Sequence, residues 1–407
     1  MLEFERVEFP PELGLIIACA RWPIAALDKA DIRRRLAEPI DWGLFLDWVG
    51  RNRVTPLVYN NLRHVATIAV PETVGNELRA QAAHNVRRVL MQIREAARIT
   101  RLLNEAGIRT MMIKGPALAM LAFDDPTLRE SQDVDLLIDP ARLYEADRLI
   151  RQAGYQRTIP KSELTECQFA TYQRLQCQFV YDSLKLGVTQ ELHWRLTSNP
   201  HLLHLEEAAM WSRSEPIVVA GAQFATLPDE ELFLYLCVHG SGHMWFRLKW
   251  IVDIAALIQK FRPETLDRIS GRARDLGALR SFHSALLLAN RVLAAPVSAE
   301  ILESARQDKV ARQLTNAACK ALTWGGSPAD PVETPWFSTW LNWQAFKLRP
   351  GFRYRLNELR IRMLSVEDWT SLPLPDWLFP LYIPLRPIAW VMRKARQLTS
   401  AARGRSR

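Results

Sequence analysis

The stretch that decides the fold runs Ile113-Lys114-Gly115-Pro116, then Asp125-Pro126-Thr127-Leu128-Arg129, then Asp133-Val134-Asp135-Leu136-Leu137-Ile138. The mostly apolar run from Ile108 to Ile113 suits a short buried strand. Gly115-Pro116 turns out of it, and proline fits the first turn of the helix that follows. Gln132 to Ile138 reads as a second strand. Residues two apart on a strand project from one face, so Asp133 and Asp135 point together while Val134 and Leu136 face the core. Carboxylates held that close repel each other unless a cation lies between them, and hard oxygen ligands suit Mg²⁺. A third carboxylate on a neighbouring strand completes a site for two Mg²⁺ ions and in-line nucleotidyl transfer. Glu191, in Gln190-Glu191-Leu192-His193-Trp194, is placed for that role, and His193 shares its face. A glycine turn opening a helix offers backbone N–H groups to phosphate oxygens. Gly115, with Lys114 and Arg129, is therefore expected to hold the triphosphate of an NTP. The plainer reading is a strand end with solvated acids. Against it stand the strand, lysine, glycine and helix unit ahead of the pair and the acid on a second strand downstream.

Outward from this unit the pattern changes. Residues 1–105 read as a helical region rich in Ala, Leu, Arg and Glu, with Gly107 as a stop. Residues 106–225 form the α/β core. It includes an amphipathic helix from Ala141 to Ala153 with Asp139 as its N-cap. Strands at Gln176–Tyr181 and Val188–Trp194 are joined hairpin-fashion around Ser183–Gly187. Residues 226–330 are again helical, with one helix carrying His239, His243 and Asp253, and residues 331–407 form a basic Trp- and Pro-rich tail. The expected class is α+β, a small mixed sheet flanked by N- and C-terminal helical regions.

At these residues the chain resembles the bacterial nucleotidyltransferases of family 5, in the DNA polymerase β superfamily. The likeness runs through Asp41-Trp42 and Arg53-Val54-Thr55-Pro56-Leu57, then Lys114-Gly115-Pro116, Asp133-Val134-Asp135 and Glu191-Leu192-His193-Trp194. It continues in His239-Gly240-Ser241-Gly242-His243 and Leu248-Lys249-Trp250, closing at Asp253. The resemblance implies a mixed-sheet nucleotidyltransferase core, with Asp133 and Asp135 as the metal-binding pair and Glu191 as the third acid. The superfamily's usual Gly-Ser before the acidic strand is here Gly115-Pro116, so phosphate binding leans on backbone N–H groups, Lys114 and Arg129.

Other features set limits. His239 and His243 stand four apart on one helix face, yet Gly-Ser-Gly between them excludes the metalloprotease pattern. Packing is the first reading for this pair, and lining of the acceptor pocket the second. His193 is the stronger substrate-facing candidate. Five scattered cysteines (Cys19, Cys167, Cys177, Cys237 and Cys319) argue against a disulfide framework and for a reducing cytoplasm. The N-terminus lacks the pattern of a signal peptide, and no apolar run is long enough to span a membrane.

The net charge of +9 is not spread evenly. Residues 341–407 hold 13 basic and 4 acidic residues, leaving 40 of each before them. A uniformly basic nucleic-acid coat is excluded, and nucleic acid is not an expected partner. The tail interleaves Trp324, Trp336, Trp340, Trp343, Trp369, Trp377 and Trp390 with Lys347, Arg349, Arg353, Arg355, Arg360, Arg362 and Arg386. Arg393, Lys394 and Arg396 follow. This suits packing onto the helical region or peripheral contact with a membrane at its inner face. The expected function is Mg²⁺-dependent transfer of an NMP from an NTP to an acceptor hydroxyl, on a small molecule, sugar, peptide or macromolecule, with release of pyrophosphate. The alternative is a non-catalytic scaffold of the same fold that docks through the tail.

Overall fold

The computed structural model describes residues 8–65, 69–161, 163–324, 331, 334–364, 368–369, 372, 374–386 and 388. The acidic pair lies at the start of a five-stranded sheet: β1 (Thr110–Met112), β2 (Asp133–Ile138), β3 (Gln156–Ile159), β4 (Gln178–Ser183) and β5 (Val188–His193). The spatial order is β1-β2-β5-β4-β3, with β2 and β5 parallel and all other neighbours antiparallel. The sheet is therefore mixed, and the architecture is α+β with helical flanks, as the sequence implies. β4 and β5 form the expected hairpin, closed by Gly187 N–H donating to Ser183 O at 2.8 Å. Asp139 caps the turn after β2, its side chain accepting from Ala141 N–H. Helix Leu143–Gln152 follows and stops before Gly154 at φ 94°.

Two elements of the core were not anticipated. β3 is a polar edge strand with a register shift between Arg157 and Ile159, so it lacks the apolar run that marks a buried strand. A separate hairpin, β6 (Glu215–Val219) with β7 (Ala222–Thr226), turns through Ala220 and Gly221, both at positive φ. Thr226 Oγ1 donates to Met112 O at 2.8 Å and ties this hairpin to β1.

The alternation of β2 places the site. Val134, Leu136 and Ile138 enter an apolar core shared with Ile93, Ile99 and Leu103 of helix Glu72–Glu105 and with Phe179, Tyr181 and Leu192. Leu137 points the other way, into the core formed jointly by the N- and C-terminal helices around Trp48, Phe233, Trp245 and Phe282. Asp133 and Asp135 share the face of Leu137. The carboxylates thus lie between the sheet and the helical body.

The segment expected as one helix through His239, His243 and Asp253 is two: Asp229–Gly242 and Leu248–Lys260. The break comes at Met244 and Trp245, both in the left-handed region at φ 51° and 53°. Trp245 folds back under the first helix, its backbone N–H donating to Gly240 O at 2.9 Å. A Cβ at Gly240 would overlap the Trp245 ring, so packing requires glycine here.

The second helix grips the loop that leads into β2. Lys249 Nζ donates to Glu130 O at 3.3 Å, and Lys260 Nζ lies 2.7 Å from Asp124 Oδ1. From the other side, Asn85 Nδ2 donates to Thr127 O at 2.9 Å and Gln92 Nε2 to Ser131 O at 3.3 Å.

In the tail, Trp324, Phe337 and Trp340 pack together against Phe246. Trp369 is buried beside Phe379 and Tyr382. Trp336, Trp343 and Trp377 are 81%, 69% and 79% exposed. Trp390, Arg393, Lys394 and Arg396 lie outside the described residues.

Candidate active site

Parallel pairing of β2 with β5 sets Asp135 directly beside Glu191 and Leu137 beside His193. One ligating atom from each of Asp135, Glu191 and His193 lies within 4.8 Å of the other two. Asp135 is 1% exposed and Glu191 is half-buried. Asp133, half-buried, precedes Asp135 by two residues on the same face, at the first position of β2.

Buried carboxylates need compensation, and the chain supplies it. Lys114 Nζ lies 2.7 Å from Asp135 Oδ1, and His193 Nε2 lies 3.1 Å from the same oxygen and 3.4 Å from Glu191 Oε2. Burial alone would strip the proton from His193. The contacts of Nε2 with the Asp135 and Glu191 carboxylates outweigh it and hold the imidazole well above its usual pKa. Lys114 is likewise buried, and Asp135 keeps it charged. Asp135 is pushed well below the carboxylate range despite its burial, because Lys114 and His193 stabilise the anion. Glu191 is raised, by burial and by the neighbouring Asp135 charge. The two carboxylates are therefore poised differently, one a firm anion and one a better base.

Lys114 follows β1, and Gly115 opens helix Gly115–Phe123 at φ +62°. A Cβ at Gly115 would come within 3.4 Å of Asp133 O, so close passage of the two chains and a left-handed backbone both favour glycine.

Arg129 sits deeper than a phosphate ligand on an open surface would. Its Nε and Nη2 donate to the two carboxylate oxygens of Asp253 at 2.8 and 3.0 Å, and Nη1 donates to Ser131 Oγ at 2.8 Å. The guanidinium thus ties the loop before β2 to helix Leu248–Lys260 in a buried bidentate pair. Asp253 is the partner that organises it.

His239 and His243 do meet, with ring centroids 4.7 Å apart, although the helix ends at Gly242, between the two. His239 lies 5.9 Å from the Tyr235 ring, over which Lys114 Nζ sits at 5.8 Å. Burial and the Lys114 charge hold His239 well below the usual histidine value, so it is neutral. His243 stacks on Trp250 at 5.0 Å and 25°. An aromatic run therefore leads from the acid cluster to the exposed edge of His243. The residue that sequence reasoning passed over is Lys249, which stands in the motif with Asp253 but carries no spacing signal of its own.

Comparison with curated proteins and with solved structures gives no match. A family model described as an uncharacterised nucleotidyltransferase matches residues 38–294, which takes in the helices on both sides as well as the sheet. With more than half its length inside that match, and with Lys114, Asp133, Asp135 and Glu191 all within it, the chain belongs to this nucleotidyltransferase family.

Proposed function

We propose that the protein transfers an NMP from an NTP to an acceptor hydroxyl. The observation that carries this is the convergence of Asp135, Glu191 and His193 within 4.8 Å, compensated by Lys114. The donor set fits a divalent cation, since two carboxylates side by side form a hard oxygen site. Asp133, Asp135 and Glu191 would hold Mg²⁺. Bound there, the metal supplies charge neutralisation at the α-phosphate and at the leaving pyrophosphate. Lys114 and the Gly115 turn orient the triphosphate. Glu191, the more basic carboxylate, receives the acceptor's proton as its oxygen bonds to the α-phosphorus and the bond to the β-phosphate oxygen breaks. His239, His243 and Trp250 line the side from which an acceptor or a base approaches. A scaffold without activity has no need of buried carboxylates kept together by a lysine. Incubation with each labelled NTP, Mg²⁺ and candidate acceptors, comparing wild type with Asp133→Ala/Asp135→Ala, tests the reading. Label transfer or pyrophosphate release should vanish in the variant, and equal transfer by both proteins would refute the site.

The tail supports a docking role at an anionic lipid surface. Trp336 and Trp343 are seven apart on helix Pro335–Ala345, and exposed Phe352 and Leu359 are seven apart on helix Phe352–Met363, so each pair shares a face. Arg353, Arg355 and Arg360 are exposed beside the second pair, with no carboxylate partner among the described residues. Aromatic side chains flanked by unpaired cations suit the headgroup region of an anionic bilayer. No helix of the described residues is long and apolar enough to cross it. The full chain should sediment with vesicles containing phosphatidylglycerol, but not with phosphatidylcholine alone, and Trp336→Ser/Trp343→Ser/Phe352→Ser should lose this. Equal partitioning of wild type and variant removes the idea.

A further inference from the structure

Helix Leu248–Lys260 begins beside the acidic strand, and Lys249 stands in its first turn. The side chain is 7% exposed, yet its ammonium has only one hydrogen-bond acceptor among the described residues, Glu130 O at 3.3 Å. An ammonium has three donors, and no carboxylate among the described residues lies within ion-pair distance of this one. Its charged neighbours are Arg129, Arg53, Asp133 and Asp253. Asp253 is already committed to Arg129 through both oxygens. The helix N-terminus adds its partial positive charge at the same place. Its first N–H, that of Leu248, is held by Asn52 Oδ1 at 2.9 Å, which fixes where the helix starts. Burial and the two arginines push Lys249 down to about 7, a sign of positive charge in excess of what the fold neutralises.

Charge of this kind is retained where an anion is to be received. Resting on the nucleotidyltransferase reading above, we propose that Lys249 at the start of helix Leu248–Lys260 is a second cation, beside Lys114, that binds the polyphosphate of the incoming nucleotide. Arg129, locked to Asp253, holds the loop in place instead of meeting the phosphates. Lys114, paired with Asp135, meets the triphosphate from the carboxylate side, and Lys249 meets it at the β- and γ-phosphates. The ligand class is a polyphosphate monoester carried by a nucleoside. ATP should accordingly bind better than ADP, and ADP better than AMP, through this residue.

The test uses the full chain and three proteins: wild type, Lys249→Met and Lys249→Arg. Titration calorimetry with ATP, ADP and AMP in the presence of Mg²⁺, and with inorganic tripolyphosphate, reads the affinities. Loss of a charge-assisted contact should weaken ATP binding about 10-fold or more in the methionine variant, with the arginine variant recovering most of it. The gradient from ATP to AMP should flatten in Lys249→Met. Thermal unfolding guards against a merely structural effect, because removing an unpaired buried charge should raise the melting temperature while nucleotide affinity falls. If wild type and Lys249→Met bind ATP equally, the assignment is overturned. If wild type binds tripolyphosphate but no nucleotide, and Lys249→Met binds neither, Lys249 stands as an anion site while the nucleotidyltransferase reading fails. If wild type binds neither ligand, both fall.

Discussion

Lys249→Met offers a quantitative check on the balance between stability and site chemistry. A lysine has an ordinary value of 10.5, and Lys249 in the folded protein sits at about 7. Between those two values the unfolded chain binds a proton that the folded chain does not, so wild-type stability rises as pH rises. Below pH 7 both states are protonated and the burden is fully present. The gap corresponds to about 4–5 kcal/mol at pH 6, falling to about 2 kcal/mol at pH 9. Methionine fills a similar volume and carries no titrating group, so the same dependence is missing from the variant. It also loses the hydrogen bond to Glu130 O, a constant term of about 1 kcal/mol. The expected result is a variant more stable than wild type at pH 6, with the advantage shrinking by about 2–3 kcal/mol by pH 9. Urea unfolding of both proteins at pH 6, 7, 8 and 9, followed by far-UV circular dichroism, measures it. A stability difference that stays flat across this range, or a variant less stable than wild type at pH 6, would refute the reasoning.

Other perturbations follow from the same geometry. Removing one partner of the buried Arg129–Asp253 pair, by Arg129→Met or Asp253→Asn, should destabilise by about 3–5 kcal/mol, because a charge is left without its partner. The double variant Arg129→Met/Asp253→Leu should be less damaged than the two single effects added together, and additive losses in urea titrations would show that the pair is not coupled. Gly240→Ala should lose about 1–3 kcal/mol or more, since the new Cβ overlaps the buried Trp245 ring, and an unchanged melting temperature would refute this packing account. Glu191→Gln should lower the transfer rate by about 10²–10⁴ while ATP still binds, as expected for loss of a proton acceptor; a variant that keeps full turnover would place the base elsewhere.

The local features of the site were legible because strand alternation and turn chemistry act over a few residues. Asp133 and Asp135 share a face for the same reason that Val134 and Leu136 share the other, and Glu191 and His193 follow the same rule on β5. Gly115 was legible as a turn, and its value of +62° supplies the reason. What could not be read was the work done between distant elements. Arg129 has the right charge and the right position in the chain for a phosphate ligand, but its partner is 124 residues away on a helix whose start depends on a break at Met244 and Trp245. The His239-Gly240-Ser241-Gly242-His243 run carries two signals in one motif. Its first glycine makes room for Trp245, and its histidines line an aromatic path that reaches Tyr235 and Lys114. The break that defeats a single-helix reading is also what allows the second helix to begin at the sheet. That restart brings Lys249 to Glu130, Asp253 to Arg129 and Lys260 to Asp124, three contacts from one helix onto one loop. A helix that ran on unbroken would carry all three away from the acids. The polar grip on this loop is therefore a consequence of the glycine, and of the tryptophan packed against it.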